Sequence, residues 1–260
     1  GLNQDQSITF RNDEIRRAPG AGQELSRIIN SLPSVASVGE NRQDMMVRGG
    51  GPTENGFIID NIPIPSISHF NQDDGRSNGP IGLINTEMIE SLEFYSNGFS
   101  AKYGNRLSSY GDIVYRSGNQ EQLEGNVSLG LGGAGALVEG PLGENTSYIL
   151  SLRRSYLQYV FELVGLPIRP DYIDYQFKID HRIDNLNSIS IMGIGSIDDF
   201  SVVAPEDFDA EQTAVIEQVP IIKQRTNTFG ISWIRGIMLL VNFVLSSIFF
   251  KSKSFNRLLN

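Results

Sequence analysis

Residues 45–60 read Met-Met-Val-Arg-Gly-Gly-Gly-Pro-Thr-Glu-Asn-Gly-Phe-Ile-Ile-Asp, and the parsing of this stretch decides the fold. A short apolar run ends in Arg48, three glycines follow at Gly49, Gly50 and Gly51, and a second apolar run, Phe57-Ile58-Ile59, closes on Asp60. Asn55-Gly56 lies between the two runs. Both residue types tolerate positive φ, so Asn-Gly ahead of an apolar run signals a turn. The stretch reads as two short strands bracketing a glycine-rich connection.

Upstream, residues 1–20 are polar apart from Ile8-Thr9-Phe10, an edge strand or a tail. Leu25, Ile28, Ile29 and Leu32 then fall on one face of a helix, with Ser26, Arg27 and Asn30 on the other. Pro33 ends that helix, because the residue before a proline is pushed out of the α region. Downstream, Pro63 and Pro65 withhold ladder donors, so 61–70 is an extended loop or a sheet edge. A polar, glycine-rich loop follows at 71–80, of a length uncommon without a function. A short helix is expected over 82–87, strands over 88–95 and 112–116, and turns at 96–98 and 101–109. To about residue 120 the chain is a small α+β unit.

From Glu121 the texture changes to period 2. Val127, Leu129 and Leu131 alternate with polar or small residues, as do Tyr148, Leu150 and Leu152. Ile173, Tyr175, Phe177 and Ile179 alternate with Asp174, Gln176, Lys178 and Asp180. Ile189 and Ile191 alternate with Ser188 and Ser190, and Phe229, Ile231 and Trp233 with Thr228, Gly230 and Ser232. Such strands suit lipid on one side and water on the other, or a half-buried antiparallel sheet in a soluble protein; the period alone leaves both open. Residues 140–145 read as a tight turn, 157–170 as a short helix inside a loop, and 198–224 as a long, solvated acidic loop that includes Asp198 and Asp199.

The chain of 260 residues carries 21 Lys and Arg against 30 Asp and Glu, a net charge of -9 that argues against a nucleic-acid partner. There is no cysteine, which excludes disulfides and thiolate metal sites. Residues 130–135 satisfy G-x-G-x-x-G, but Gly140, Pro141 and Gly143 stand where a helix should follow. The two histidines, His69 and His181, are far apart and belong to no zinc motif. Asp73-Asp74 lies in a polar loop without the apolar surroundings that would raise a carboxyl pKa. No catalytic residue, metal or cofactor is assigned. With no signal segment after Gly1, the chain is expected to be cytosolic or a mature or excised fragment.

Four segments carry a family resemblance. Val47-Arg-Gly-Gly with Phe57-Ile-Ile-Asp-Asn-Ile-Pro, and the run from Ile89 to Ser109, resemble the two most recognisable segments of the plug of TonB-dependent outer-membrane receptors. Ile15-Arg-Arg-Ala-Pro-Gly with the helix after it resembles the start of such plugs in Bacteroidetes-type receptors. Glu139-Gly-Pro-Leu followed by Leu152-Arg-Arg-Ser-Tyr is similar to the first barrel hairpins.

The resemblance implies an α+β plug domain over 1–120, followed over 121–235 by antiparallel β-hairpins of an incomplete outer-membrane β-barrel. It implies active uptake without enzyme activity, in the outer membrane, with the plug in the barrel lumen and the N-terminus facing the periplasm. The implied partners are a TonB-type energy-coupling protein, outer-membrane lipid, a surface lipoprotein, and a ligand that is a siderophore, glycan, peptide or vitamin. Arg48, Gly49, Gly50, Asp60, Tyr103, Gly104 and Arg106 are the implied gating and structural residues. In that resemblance Gly49–Gly51 and Gly104 allow tight backbone turns, and Arg48 and Arg106 bond carboxylates of the barrel wall. His69, Phe70 and Asn71, in a loop over 65–79, are expected to face the ligand.

Two departures stand out. About six barrel strands are legible, against roughly 22 in a plugged barrel. The tail over 236–260 loses the alternation, and its uncharged run 237–250 falls short of the ~20 residues a spanning helix needs, so it reads as a truncated or frame-shifted end. The competing reading is a small standalone outer-membrane barrel or a soluble β-rich carbohydrate-binding protein.

Overall fold

The computed structural model describes residues 7–18, 24–37, 44–72, 81–96, 98–130, 132–203, 219 and 221–235, so the atypical tail lies outside the described residues. The first part is built on a five-stranded sheet of β1 (Ser7–Arg11), β4 (Asn55–Ile59), β5 (Ile62–Ile64), β6 (Ile89–Tyr95) and β7 (Ser109–Tyr115), in the order β1-β6-β7-β4-β5. Its pairings are antiparallel except β4 with β7, which run parallel. Helices α1 (Asn12–Arg17) and α2 (Leu25–Asn30) precede a two-stranded ribbon of β2 (Val35–Ser37) and β3 (Met45–Val47).

In α2 the residues Leu25, Ile28 and Ile29 are buried as the period requires, and Ser26, expected on the polar face, is buried with them. The strands flanking the glycines do not pair with each other: β3 joins β2, while β4 joins β5 and β7. Asn55-Gly56 is not a turn. Both residues lie in β4, where Asn55 Nδ2 donates to the Met45 carbonyl at 2.8 Å and Asn55 Oδ1 accepts from Ser109 Oγ at 2.7 Å. Gly56 is needed for space, since a methyl there would lie 2.6 Å from the Tyr110 ring. The left-handed turn comes at Asp60 (φ 49°) and Asn61 (φ 66°), the positive-φ pair that a tight hairpin between β4 and β5 demands. Pro63 sits in β5, an outer strand of the sheet, where a missing N–H is tolerated.

The helix expected over 82–87 shrinks to a 3₁₀ turn, Thr86–Met88, capped by Asn85, whose side-chain oxygen accepts from Glu87 N at 3.0 Å. The carbonyls of Gly82 and Leu83 are taken by side chains of the second sheet, so the chain does not wind there.

The second sheet has six antiparallel strands in chain order: β8 (Glu124–Gly130), β9 (Gly133–Gly143), β10 (Thr146–Ser155), β11 (Ile168–Arg182), β12 (Asn187–Val202) and β13 (Ile222–Arg235). Helix α3 (Leu157–Leu163) fills the connection from β10 to β11. Residues 140–143 prolong β9 instead of turning; the turn is Glu144-Asn145, and the proline is accommodated next to a register shift between Thr146 and Ser147. Asp198 and Asp199 lie inside β12, not in a solvated loop. The outer strands β8 and β13 have no further partner among the described residues.

Along β11 and β13 this wall is polar inside and apolar outside. Along β11, Asp174 (1%) and Gln176 (0%) are buried against the first sheet, while Ile173 (40%) points outward. Along β13, Thr228 and Ser232 are buried while Phe229 (42%), Ile231 (44%) and Trp233 (37%) are exposed. A half-buried soluble sheet would cover the apolar row and wet the polar one; here the order is reversed, as in a strand between lipid and a polar lumen. The core spans both units: Ile59, Ile62, Ile84, Met88, Leu92 and Ile113 pack in one cluster with Leu137, Ile149, Met192 and Ile194 of the wall.

Candidate functional site: the seam between the first sheet and the wall

The seam is a ladder of polar bonds. At one end the loop after β5 delivers His69, held by its own N–H to the Ile81 carbonyl (3.1 Å). Its ring enters between two wall carboxylates, with Nδ1 2.7 Å from Asp198 Oδ1 and Nε2 3.2 Å from Asp174 Oδ2. Tyr172 stacks on the ring at 4.1 Å. Phe70 (φ 54°) turns away into an aromatic pocket with Tyr172 and Phe200. Asp174 is also gripped by Arg153, whose guanidinium then reaches the Gly82 and Leu83 carbonyls at 3.0 and 2.6 Å.

Mid-seam, Gln176 accepts from Asn85 N (3.0 Å) and the Tyr115 hydroxyl (2.6 Å) and donates to the Leu83 carbonyl (2.8 Å). Asn85 Nδ2 donates to Ser151 Oγ at 2.7 Å. At the other end Lys178 Nζ donates to Asp60 Oδ1 (3.2 Å) and the Tyr115 carbonyl (2.6 Å), while Ser232 Oγ donates to the Asp60 carbonyl (3.2 Å). Arg116 meets Glu139 in a two-pronged bond, both arms 2.6 Å. Ile62 projects over Gly230, where any added methyl would strike the isoleucine side chain.

Burial works against a charged His69 ring, but the Asp198 charge and the bonds to both aspartates outweigh it and hold the pKa above the ordinary 6.5. Burial raises Asp60 to about 6, with Lys178 pulling the other way. Burial also lifts Glu24, against Arg153 and the bond from Gly82 N.

Among the residues singled out from sequence, Asp60 lies in the seam. His69 and Phe70 are fully buried there, against the wall instead of facing an open ligand surface. Asn71 is half-buried and ties back to the Ser68 carbonyl at 2.7 Å, and residues 73–80 of the same loop lie outside the described residues. Arg48 (φ 49°) is exposed, and Arg106 bonds within its own unit, Nε to the Asn55 carbonyl at 3.0 Å. Neither meets a carboxylate of the six strands. Gly49 (φ 84°) takes a backbone shape that favours glycine, and Gly50 leaves room for Ser108. Gly51 and Gly104 have neither reason: a methyl would meet nothing within 4 Å, and the left-handed residue beside Gly104 is Asn105 (φ 63°). Tyr103 donates to Asp112 at 2.8 Å in a cluster with Tyr95 and Tyr110. Sequence reading missed Arg116, Glu139, Arg153, Asp174, Lys178 and Asp198. For Asp174 and Lys178 the signal was the ionisable groups at 174, 178 and 180 on one face of β11; Arg116, Glu139, Arg153 and Asp198 stand on or beside other strands, outside that row.

The profile of the TonB-dependent receptor plug domain matches residues 2–109. Those residues belong to the TonB-dependent receptor plug domain family. The plug places the chain in the outer membrane, with the six strands as a portion of its wall. The fold is similar to the ferric enterobactin receptor of Pseudomonas aeruginosa (TM-score 0.59, 15% identity, covering 87% of this chain and 38% of that one). It is also similar to the siderophore receptor PirA of Pseudomonas aeruginosa (TM-score 0.55, 15% identity, 87% and 37%). The outer membrane transporter YddB of Escherichia coli gives TM-score 0.55 at 12% identity, with 88% and 36% covered. The chain thus spans well under half the length of these receptors. No curated protein matches it in sequence. A Bacteroidetes-type plug is a reading carried by the sequence motifs alone.

Proposed function

We propose that the chain forms the plug and part of the wall of a receptor that takes up a ligand across the outer membrane, energised from the periplasm by a TonB-type protein. The observation that carries this reading is the inverted wall, apolar outward and bonded to the plug by charged and polar side chains inward. A seam of that kind is firm yet releasable. Each hydrogen bond is worth only about 0.5–1.5 kcal/mol net, because water replaces the partner when the plug shifts. The apolar contacts that also cross the seam, Ile62 on Gly230 among them, cost about 25 cal/mol for every Å² they expose.

Arg48 lines a groove of about 420 Å³ formed by plug residues alone, with Gly50, Glu54 and Ser108. In this reading the groove and Arg106 meet carboxylates on wall strands beyond the six, and Arg48→Ala leaves the pore leaky to small solutes. The ligand to try first is a ferric siderophore, since one similar receptor is named for ferric enterobactin and another for a siderophore; a labelled glycan, peptide or vitamin is tried next in the same way. A surface lipoprotein is a further partner, recovered by crosslinking on intact cells.

The test is uptake of radiolabelled ferric siderophore by cells carrying or lacking the gene, with and without the energy-coupling protein. Uptake that needs both supports the proposal. Uptake of every candidate ligand that persists without the energy-coupling protein, or a protein that fractionates away from the outer membrane, overturns it.

A further inference from the structure

The His69 ring faces a carboxylate oxygen at each nitrogen, 2.7 Å away at Asp198 and 3.2 Å away at Asp174. An ionised carboxylate only accepts, and a neutral imidazole has a single N–H. A neutral ring would therefore turn a lone pair toward one of the two oxygens. The arrangement is satisfied in full by an imidazolium, which donates at both ends. All three side chains are essentially sealed from solvent, at 0% exposure for His69 and Asp174 and 1% for Asp198.

The remaining ionisable neighbours do not substitute for that charge. From β10, Arg153 pairs with Asp174 at 2.9 Å. Ahead of α2, Glu24 accepts from Gly82 N at 2.7 Å and adds a carboxyl to the same region. From β11, Tyr172 offers only its ring face. Asp198 Oδ2 accepts from Ser196 Oγ (3.1 Å) and from Gln224 Nε2 of β13 (2.7 Å), both neutral. With the His69 charge gone, Arg153 alone is left against the two aspartates in a buried site, and an uncompensated buried charge is strongly unfavourable.

We propose that His69 is a proton-operated bolt between plug and wall. Protonated, it ties the plug loop to β11 and β12 together; on losing one proton it drops one of those ties, and the plug loosens from the wall. The ring's hold on its proton is strengthened by the fold, so the bolt's full contribution is present below the unfolded midpoint near 6.5 and is lost as pH rises through the higher folded midpoint. The bolt depends on the seating of the plug in the wall and not on any ligand or on energised transport, so its failure and the failure of the uptake reading are told apart.

The chain has no cysteine, so one introduced thiol reports cleanly. Ser151 is fully buried against Asn85 of the plug, and Ser151→Cys reacts with a maleimide only when the plug leaves the wall. Ser128→Cys, exposed on β8, supplies the reference rate at each pH. In outer-membrane vesicles carrying the whole receptor, the ratio of the two rates is expected to climb as pH rises from about 6.5, above the Asp60 midpoint. The climb is about tenfold for each unit separating the folded and unfolded His69 midpoints. Asp198→Asn is the deciding variant. Its oxygen still accepts from Ser196 and Gln224, while its amide N–H₂ donates to Nδ1 of a neutral ring, so the climb should flatten. His69→Gln should give a high, pH-independent ratio. A second reading comes from ¹⁵N-histidine NMR, where the ring signal absent from His69→Gln should be that of an imidazolium at pH 7. A flat ratio in the parent, a climb in Asp198→Asn as steep as the parent's, or a neutral ring at pH 7 overturns the bolt.

Discussion

Arg153 and Asp174 stand directly opposite each other on β10 and β11, and their pairing aims the guanidinium at the plug. Nε donates to Asp174 Oδ1 at 3.1 Å, and the terminal nitrogen that lies 2.9 Å from Oδ2 also reaches the Gly82 and Leu83 carbonyls. One planar fork thus joins a wall carboxylate to plug backbone. A lysine ammonium has three donors on a single nitrogen and cannot reproduce the planar fork that meets both Asp174 oxygens and both carbonyls. Arg153→Lys is expected to cost about 1–3 kcal/mol. Arg153→Met, which removes the cation beside a buried aspartate, should cost more, about 3–5 kcal/mol. Denaturant unfolding of the detergent-folded protein measures both; no loss in Arg153→Lys would mean that the fork geometry is irrelevant, and equal losses that the retained charge is.

The contact of Ile62 with Gly230 makes a separate prediction. Gly230 is the hole in the wall and Ile62, fully buried, is the knob from the plug edge. Gly230→Ala overfills the contact and should destabilise by about 1–3 kcal/mol. Ile62→Ala alone empties it at about 2–5 kcal/mol. Because the two changes compensate in volume, the double variant should lose less than the sum, a coupling that a thermodynamic cycle reads directly. Strict additivity would place the two residues out of contact.

The elements that could be read from sequence are those whose signal is local. Alternation along 173–179 located β11, and the apolar spacing at Leu25, Ile28 and Ile29 located α2. What failed was local chemistry overridden at long range. Asn55-Gly56 lost its turn because Asn55 satisfies Met45 and Ser109 and Gly56 makes room for Tyr110. Residues 82–87 lost their helix because two carbonyls are used by Arg153 and Gln176, 71 and 93 positions away. Asp198 looked like the start of an acidic loop because its partner, His69, lies 129 residues earlier. Period 2 located the strands but not their inner face; that required the plug to be seen against Asp174, Gln176 and Lys178.

Asp60 supplies a prediction about titration. Burial raises its pKa from 3.8 to about 6 in the fold, with Lys178 lowering it. A folded value above the unfolded one means that the fold favours the protonated carboxyl. This group's contribution to stability is therefore full below pH 3.8 and falls away as pH rises through about 6. Carboxyl ¹³C NMR of labelled protein should show a midpoint near 6, and Lys178→Met should move it higher. A midpoint that stays put on removing Lys178 would show that the pair does not couple.

The outward face of the wall gives the sharpest distinction between lipid and water. Tyr175 and Phe177 of β11 reach Phe229 of β13 ring to ring across β12, where Gly193 and Gly195 keep the space beneath them open. Ile231 continues this row, 44% exposed, between Phe229 and Trp233. In water an exposed isoleucine is dispensable, and Ile231→Lys would change stability by no more than about 0.5 kcal/mol. In a bilayer the same ammonium must leave water, which costs about 2–4 kcal/mol near the midplane and less toward either interface. Folding of Ile231→Lys into lipid vesicles, compared with the parent by urea titration, should show the larger loss. A loss within the smaller range would mean that this row faces water, and the assignment of the wall to the membrane would go with it.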